Sequence, residues 1–273
     1  MLSVAAAQVR ALQVLAGNTQ LVFGQCSKNA EEEAEWLISF LADGHGQVSA
    51  AALDEALQRR VRNREPMAHV TGFATLCGLT FKTDRRALVP RSYIAELLEN
   101  WPADVKSQTC LDLCCGNGNL AIAAALRIPS LRSCVATDVS SEALELAREN
   151  VALHKVDEKV SLLQSDMFAR VEGRAFDLIL CNPPYVRRSA MAKLPEEFRH
   201  EPEVALAGGS DGFDFVRTVL CESNRFLTSR GHLILEVGWG QKAALKREFP
   251  HVDFEFAETS AGEGPVVVVQ KKT

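Results

Sequence analysis

From residue 108 onward the sequence alternates between short apolar segments and longer amphipathic ones, and this alternation constrains the fold strongly. Strands that alternate with helices in this way are typical of an open α/β sheet with helices on both faces. The apolar segments predict strands at 109–113, 133–138, 159–164, 176–181, 231–237, 252–257 and 265–270. The amphipathic segments predict helices at 118–127, 141–153, 212–228 and 240–248.

The first 65 residues lack this pattern and read as a small helical domain of three helices. The second helix is expected over 29–42, and the third begins near Ser49, whose side chain suits an N-cap. Pro66 ends the third helix, since proline disfavours a helical conformation in the residue before it. The expected apolar faces are Ala5, Val9, Leu12 and Leu15 in the first helix and Ala34, Leu37, Ile38 and Leu41 in the second.

Residues 69–89, HVTGFATLCGLTFKTDRRALV, differ in character from the segments on either side. They alternate, are rich in Thr, Val and Phe, and contain Gly72 and Gly78, which together predict a β-hairpin. We therefore divide the chain into a helical domain over 1–66, a hairpin linker over 67–90 and an α/β domain over 91–273.

Composition and charge narrow the classes of protein that the chain can belong to. Its formal charge of −5 argues against non-specific binding to bare nucleic acid, which requires a basic surface. No apolar run approaches the roughly 20 residues of a membrane span, and the N-terminal segment reads as an amphipathic helix rather than a signal peptide. The eight cysteines form no C-x-x-C pair, so we expect reduced structural thiols, no metal site and a cytoplasmic location.

The segment CLDLCCGNGNLAIAAAL, residues 110–126, predicts a strand, a glycine turn and a helix. Gly116 and Gly118 would allow a sharp turn and a close approach of a ligand to the main chain. Asp138 ends the second strand, 20 residues beyond Gly118, where a carboxylate can bind two ribose hydroxyls. The third glycine of the dinucleotide fingerprint is replaced by Ala121. The pattern therefore predicts a ligand that carries a ribose but need not carry a pyrophosphate, or else an ordinary turn without a ligand.

Asp112 and the D-x-x-x-G-x-G form of this turn resemble motif I of the class I S-adenosylmethionine-dependent methyltransferases. In that pattern the acidic residue after the third strand, here Asp166, meets the adenine amino group, although it could also be a helix cap. The resemblance implies a Rossmann-like seven-stranded sheet and S-adenosyl-L-methionine as the cofactor. The cofactor-binding residues that it implies are Asp112, Gly116, Gly118, Asp138, Asp166, Met167 and Asn182.

The stretch LILCNPPYV, residues 178–186, ends the fourth strand beside the same crevice, and its N-P-P-Y resembles motif IV of methyltransferases that act on planar nitrogen. An amide or aryl NH₂ is a poor nucleophile because its lone pair is delocalised. The side-chain oxygen of Asn182 and the carbonyl of Pro183 could accept its two hydrogens, and Pro183 and Pro184 would preset that backbone. Tyr185 would offer an aromatic surface. The alternative is a strand followed by a proline turn.

Three further stretches are similar to the HemK family of protein N5-glutamine methyltransferases. They are EPMAHVTGFATLCGLTF (65–81), LVPRSYIAE (88–96) and LPEEFRHEPEVALAGGSDG (194–212). The last two are more similar to the PrmB branch, which methylates a ribosomal protein, than to the PrmC branch, which methylates the GGQ glutamine of release factors. The resemblance implies a protein substrate, recognition of that substrate by the domain over 1–66, and substrate contacts by Asn182, Pro183, Pro184, Tyr185 and Arg91.

Several alternatives stay open at this point. The reaction could instead modify adenine or cytosine in a nucleic acid, or a small-molecule amide, and a non-catalytic scaffold is a third possibility. Arg91 could form a surface ion pair, and His200-Glu201 could serve acid–base catalysis or belong to a loop packed over N-P-P-Y. The basic run Arg59, Arg60, Arg62 and Arg64 could contact RNA phosphates or form a solvated helix face.

Overall fold

The structure of the chain is a computed structural model, which describes residues 1–25, 27–102 and 105–271. Its N-terminal part is helical, and Ser3, Asn29 and Ser49 cap the first three helices with their side chains. The elements of this part are β1 (Leu2–Ser3), α1 (Val4–Ala16), α2 (Ala30–Leu41), β2 (Gln47–Val48), α3 (Ala50–Arg62) and α4 (Met67–Thr71).

The buried face of α1 differs from the one that the sequence predicted. Ala7, Ala11 and Leu15 face the core, whereas Ala5 is exposed and Val9 is 56% exposed. Small alanines let α1 pack closely against α2 and α3, and spacing alone gave the larger apolar side chains too much weight. In α2 the expected face is confirmed, since Ala34, Leu37 and Ile38 are buried.

A hairpin of β3 (Phe73–Leu76) and β4 (Leu79–Lys82) follows. Cys77 and Gly78 form its turn with positive φ angles of 47° and 73°, the conformation of a type I′ turn. The hairpin is confirmed but shorter than the predicted 69–89, because α4 occupies the residues before it. The short helix α5 (Ile94–Glu99), which the sequence reading missed, leads into the large sheet.

Seven strands form the large sheet, and the predicted α/β fold is confirmed. The strands are β5 (Thr109–Leu113), β6 (Ser133–Asp138), β7 (Val160–Gln164), β8 (Phe176–Cys181), β9 (Leu227–Glu236), β10 (Glu255–Thr259) and β11 (Gly262–Gln270). The helices between them are α6 (Asn119–Arg127), α7 (Ser141–His154), α8 (Arg188–Met191), α9 (Asp214–Phe226) and α10 (Lys242–Glu248), with 3₁₀ turns at Glu196–His200 and Glu203–Ala205.

The strand order is β10-β11-β9-β8-β5-β6-β7, and β11 runs antiparallel to both of its neighbours. The other described pairings are parallel. The chain goes outward from β5 to β7 and then returns to the other side of β5 as β8. This reversal leaves a crevice at the carboxyl ends of β5 and β8, where open α/β sheets bind ligands.

Each face of the sheet is covered, which explains the continuous apolar runs of its strands. Along β8, Leu178 and Leu180 join one core cluster, while Ile179 and Cys181 join the cluster on the opposite face. The N-terminal helices have a separate apolar cluster of their own. Within the described ranges no helix is long and apolar enough to cross a membrane.

Candidate active site

A cleft opens at the carboxyl ends of β5 to β8. Its floor comes from the turn after each of these strands, and its other walls come from residues 86–88 and from the loop after N-P-P-Y. Six of the predicted cofactor or substrate residues line it, namely Gly116, Asp138, Asp166, Met167, Asn182 and Pro184.

The two glycines of the turn after β5 occupy different environments. Gly116 lines the cleft with a φ of 54°, and a Cβ added there would lie 3.9 Å from the Cβ of Ala87 on the facing wall. Gly118 has a φ of 82°, and a Cβ there would lie 3.3 Å from the Cβ of Ala147 in α7. Gly116 therefore keeps the cleft open, whereas Gly118 permits close packing between α6 and α7.

Two carboxyl groups lie at this turn. Asp138 accepts hydrogen bonds from the backbone N–H groups of Gly116 and Ser140, each at 2.9 Å, and burial raises its pKa despite these bonds. Asp112 is fully buried behind the turn and accepts from the backbone N–H of Ala121 at 3.0 Å. Burial raises the pKa of Asp112 to about 8; the bond from Ala121 opposes this shift and the neighbouring Asp138 adds to it.

The other oxygen of Asp112, Oδ1, has no hydrogen-bond partner among the described residues. A cationic ligand suits this end of the sheet, because it would favour the ionised form of both carboxyl groups. Among the residues that the structure describes, no cluster of three or more His, Cys, Asp or Glu side chains could hold a metal ion.

The turn after β7 forms the rim of the cleft. Asp166 is exposed, and Met167 has a φ of 44° that the Ser165 hydroxyl supports by donating to the Met167 carbonyl at 3.0 Å. The sulfur of Met167 lies 3.8 Å from that of Cys114 on the turn after β5. Seven cysteines in the described ranges are free thiols, and Cys26 lies outside these ranges.

N-P-P-Y separates this cleft from a second groove. The side-chain nitrogen of Asn182 donates to the backbone carbonyl of Arg91 at 3.3 Å. Since a carbonyl can only accept, this bond fixes the orientation of the amide and leaves Oδ1 as its acceptor for another group. Pro183 and Pro184 are buried. Asn182 lines the cleft, whereas Tyr185 lines the second groove.

The second groove lies between the α/β part, the hairpin and residues 23–25 and 27–32 of the N-terminal part. Arg91, Tyr93, Tyr185 and Glu236 form its inner wall, and Trp239, which is 68% exposed, stands at its edge. The Tyr185 hydroxyl donates to Glu236 at 3.3 Å, and burial together with this carboxylate raises the pKa of Tyr185.

We call residues 89–93 the strap, because they run along N-P-P-Y and are tied down on both sides. The backbone N–H of Val89 and the guanidinium of Arg91 both donate to the carboxylate of Glu201, at 3.1 and 2.8 Å. The Arg91 guanidinium also lies over the ring of Phe198 at 5.2 Å. Arg91 thus lines the second groove, while its charge is paired with Glu201.

The loop over 201–212 packs directly on N-P-P-Y. Gly208 donates its backbone N–H to the Val186 carbonyl at 2.8 Å, and a Cβ added to Gly208 would lie 2.6 Å from the Cα of Tyr185. A Cβ on Gly212 would lie 2.5 Å from the Tyr185 carbonyl oxygen. The sequence reading missed these two glycines, whose signal was their presence in the stretch AGGSDG. The Glu201 carboxylate of this loop is buried in the strap contacts, and a ring nitrogen of His200 lies 2.8 Å from the Asn63 carbonyl.

The basic run over 59–64 is not the solvated helix face that was one of the two alternatives left open by the sequence. Arg60 is 1% exposed and pairs with Glu33 and Glu197. Arg59 is bound to Glu65, and Arg64 to Glu197. Arg59, Arg60 and Arg64 each pair with a carboxylate on another segment, so that Arg62 is the exposed member of the four.

The chain matches the family model described as the methyltransferase small domain over residues 94–211. Two solved structures share the fold: the hMettl16 catalytic domain in complex with MAT2A 3′UTR hairpin 6, and a methyltransferase from Pyrococcus furiosus. The first is 15% identical with a TM-score of 0.56 and covers 85% of this chain and 86% of its own. The second is 19% identical with a TM-score of 0.54 and covers 79% and 98%. The predicted class I methyltransferase fold is confirmed.

Three sequence relatives have higher identity to this chain, and each is named ribosomal protein uL3 glutamine methyltransferase. The Bordetella pertussis protein is 40% identical over 80% of this chain and 74% of its own length. The Burkholderia pseudomallei protein is 37% identical over 92% and 89%, and the Xanthomonas campestris protein is 39% identical over 92% and 85%. The resemblance to glutamine methyltransferases of ribosomal proteins is thus confirmed, and the chain belongs to the family of ribosomal protein uL3 glutamine methyltransferases.

Proposed function

We propose that this protein transfers a methyl group from S-adenosyl-L-methionine to the side-chain nitrogen, N5, of a glutamine in ribosomal protein uL3. The observation that carries the proposal is the fixed amide of Asn182, whose nitrogen is held by the Arg91 carbonyl and whose oxygen is left to accept. This acceptor lines a cleft that contains carboxylates, and the neighbouring Tyr185 lines the second groove. Kinship with the uL3 methyltransferases supports the choice of substrate.

The residues of the cleft suit S-adenosylmethionine. The open space at Gly116 admits a ligand close to the backbone, and the carboxyl groups of Asp138 and Asp112 complement a ligand that carries positive charge. Asp138 would hold the ribose hydroxyls, and Asp166 with the Met167 backbone would hold the adenine. When bound, the cofactor supplies a methyl group activated by its sulfonium.

Asn182 and Pro183 would then prepare the nitrogen that receives the methyl group. The Asn182 side-chain oxygen and the Pro183 carbonyl each accept one hydrogen of the glutamine amide, which fixes its plane and directs the nitrogen lone pair. Pro184 keeps this backbone rigid, while Tyr185 and Arg91 form the wall along which the peptide lies. A strong base is not required, because the amide proton becomes acidic once the new N–C bond forms.

The N-terminal and C-terminal parts of the chain have different roles in the proposed reaction. The helical domain over 1–66 recognises the protein substrate, residues 67–90 link it to the catalytic domain, and residues 91–273 bind the cofactor and carry out the transfer. The groove with Tyr185 also contains Gln25 and Lys28 of the first part. Since ribosomal proteins are made in the cytoplasm, the proposed substrate places the reaction there.

The test compares three potential substrates in one assay. Purified protein is incubated with tritiated S-adenosylmethionine and with unmethylated uL3, a release factor with its GGQ segment, or total RNA, and labelled products are mapped by mass spectrometry. We expect a single methyl group on a glutamine of uL3. A label on the release factor would move the activity to the PrmC type, and a label confined to RNA would overturn glutamine chemistry altogether.

A further inference from the structure

Glu236, the last residue of β9, is 3% exposed and accepts three hydrogen bonds from two different segments. Its Oε2 accepts from the Ser92 hydroxyl at 2.6 Å and from the Tyr93 backbone N–H at 2.9 Å. Its Oε1 accepts from the Tyr185 hydroxyl at 3.3 Å. One carboxylate therefore joins the strap to N-P-P-Y.

This junction lies directly beside the group that orients the Asn182 amide. Arg91, whose carbonyl holds the Asn182 nitrogen, immediately precedes Ser92 in the strap. If the strap lost its bonds to Glu236, the Arg91 carbonyl could shift and the Asn182 amide would lose its fixed orientation. A displacement of about 1 Å in such a group can cost roughly 100-fold in rate.

A carboxylate suits this position because its three partners donate hydrogen bonds. A glutamine would keep one acceptor oxygen for Ser92 and Tyr93, but its NH₂ would face the hydroxyl of Tyr185, which would then have to accept a hydrogen bond instead of donating one. Glu236→Gln therefore changes the shape of the side chain little but alters the hydrogen bonds that it makes.

We propose that Glu236 is a positioning residue, which holds the strap and Tyr185 so that the Asn182 oxygen meets the glutamine amide of the substrate. This inference rests on the proposed function and adds to it a residue that acts through its bonds to Ser92, Tyr93 and Tyr185. Its effect is on the rate of transfer to protein, and it leaves cofactor binding unchanged.

The charge of Glu236 makes its positioning role depend on pH. Burial raises its pKa to about 6, although the bonds from Ser92, Tyr93 and Tyr185 oppose the shift. The titratable groups that interact with its charge are Tyr93, Tyr185 and Cys181. The cation in the same groove, Arg91, interacts with Tyr185 and is paired with Glu201. Below about pH 6 a protonated Glu236 gains a donor of its own and no longer accepts all three bonds.

The kinetic test compares Glu236→Gln with the wild-type protein and with Asp177→Asn. Asp177 is a matched control, since its carboxylate accepts from Gln108, Thr109 and Thr228 at the opposite end of the same sheet. With uL3 as substrate and saturating cofactor, we expect kcat to fall roughly 10- to 100-fold in Glu236→Gln, with the Kd for S-adenosylmethionine unchanged. The decrease in wild-type kcat below pH 6 should be absent from this variant and present in Asp177→Asn. An unchanged kcat in Glu236→Gln, with wild-type protein active, would overturn the proposal.

A second measurement does not depend on which protein is methylated. The chain has two tyrosines, Tyr93 and Tyr185, so 3-fluorotyrosine gives two ¹⁹F resonances, which Tyr185→Phe assigns. The Tyr185 resonance should move with a midpoint near pH 6 in the wild-type protein and in Asp177→Asn, and should not move in Glu236→Gln. A titration that persists in Glu236→Gln would exclude Glu236 as the group that holds Tyr185. Wild-type protein that is inactive on uL3 but shows this titration would contradict the proposed substrate and not the contact.

Discussion

The carboxyl group of Asp112 is fully buried under the turn that lines the cleft, and its pKa is raised to about 8. In the unfolded chain the same group titrates near its ordinary value of 3.8. At pH values between 3.8 and about 8 the folded protein therefore binds up to one more proton than the unfolded chain. The stabilisation from protonated Asp112 is complete below about pH 4 and is lost as the pH rises towards 8.

Replacement of Asp112 by asparagine should remove this pH dependence. The amide oxygen can still accept from Ala121, and the side chain stays neutral at every pH. Relative to the wild type, the free energy of unfolding of Asp112→Asn should gain up to about 1.4 kcal/mol per pH unit between pH 5 and 8. Urea denaturation at four pH values measures the difference, and equal slopes for the two proteins would contradict the raised pKa. Asp177→Asn is the control, since the pKa of Asp177 is lowered and its effect falls at more acidic pH.

Gly208 supports N-P-P-Y by having no side chain. A Cβ there would lie 2.6 Å from the Tyr185 Cα and 2.7 Å from the Pro184 carbonyl oxygen, so backbone would have to move. We expect Gly208→Ala to lower the free energy of unfolding by about 1–3 kcal/mol and to reduce methyl transfer. Gly44→Ala is the matched control, because nothing lies within 4 Å of its added Cβ. Thermal unfolding and a transfer assay on both variants check this, and equal behaviour would contradict the close packing.

For individual residues, the sequence predicted the members of the cleft better than the residues that support N-P-P-Y. Gly116, Asp138, Asp166 and Asn182 each lie at the end of a strand or just beyond it, so their convergence could be predicted from the pattern of a parallel sheet. Glu236 and Gly208 support N-P-P-Y from segments 51 and 23 residues away from Tyr185 along the chain. No local pattern reports such contacts, because they depend on how β9 and the loop pack against β8.

At the scale of elements, the loop after N-P-P-Y connects the site to the N-terminal helices through buried charge. Glu197 of this loop is fully buried and accepts from Arg60 of α3 at 3.1 Å and from Arg64 at 2.8 Å. Glu33 of α2 completes the network with a bond of 2.7 Å to Arg60. Burial by itself would raise the pKa of Glu197, but the bonds from Val22, Arg64 and Arg60 hold it below its ordinary value.

Loss of the Glu197 carboxylate should be costly, since it leaves Arg60 with less compensation in a buried site. We expect Glu197→Ala to lower the free energy of unfolding by about 3–5 kcal/mol. Asp54→Ala breaks an ion pair with Arg10 in which the Arg10 side chain is 45% and the Asp54 side chain 53% exposed. This substitution should change the free energy of unfolding by less than about 1 kcal/mol. Chemical denaturation of both variants gives the comparison. Equal, small effects would show that the network contributes little to holding the loop.

The sequence predicted the long elements and missed the short ones. Strands buried on both faces leave continuous apolar runs, so β5, β6 and β8 begin and end where they were expected. The helices α4, α5 and α8 have 5, 6 and 4 residues, too few for helical periodicity to be recognised. β9 begins at Leu227, four residues before the predicted 231, because its first residues still pair with Phe176 across an irregular register.

For the whole molecule, the fold class could be predicted because the strand–helix alternation and the ends of the parallel strands are local signals. The way the N-terminal helices meet the loop and the strap could not. That contact uses buried ion pairs such as Arg60–Glu197, which in the sequence look like a solvated basic run and an acidic loop. As a result, the second groove lies beside the N-terminal part and the cleft lies at the strand ends, with N-P-P-Y between them.

In the proposed reaction, Asn182 accepts a hydrogen from the amide that is methylated. The most direct test is the methylation of uL3 by Asn182→Ala at saturating S-adenosylmethionine, with far-ultraviolet circular dichroism and thermal unfolding to establish that the variant folds. We expect kcat to fall roughly 100- to 1,000-fold, by analogy with the loss of one preorganised hydrogen-bonding group in an active site. A folded Asn182→Ala that methylates uL3 at the wild-type rate would contradict it.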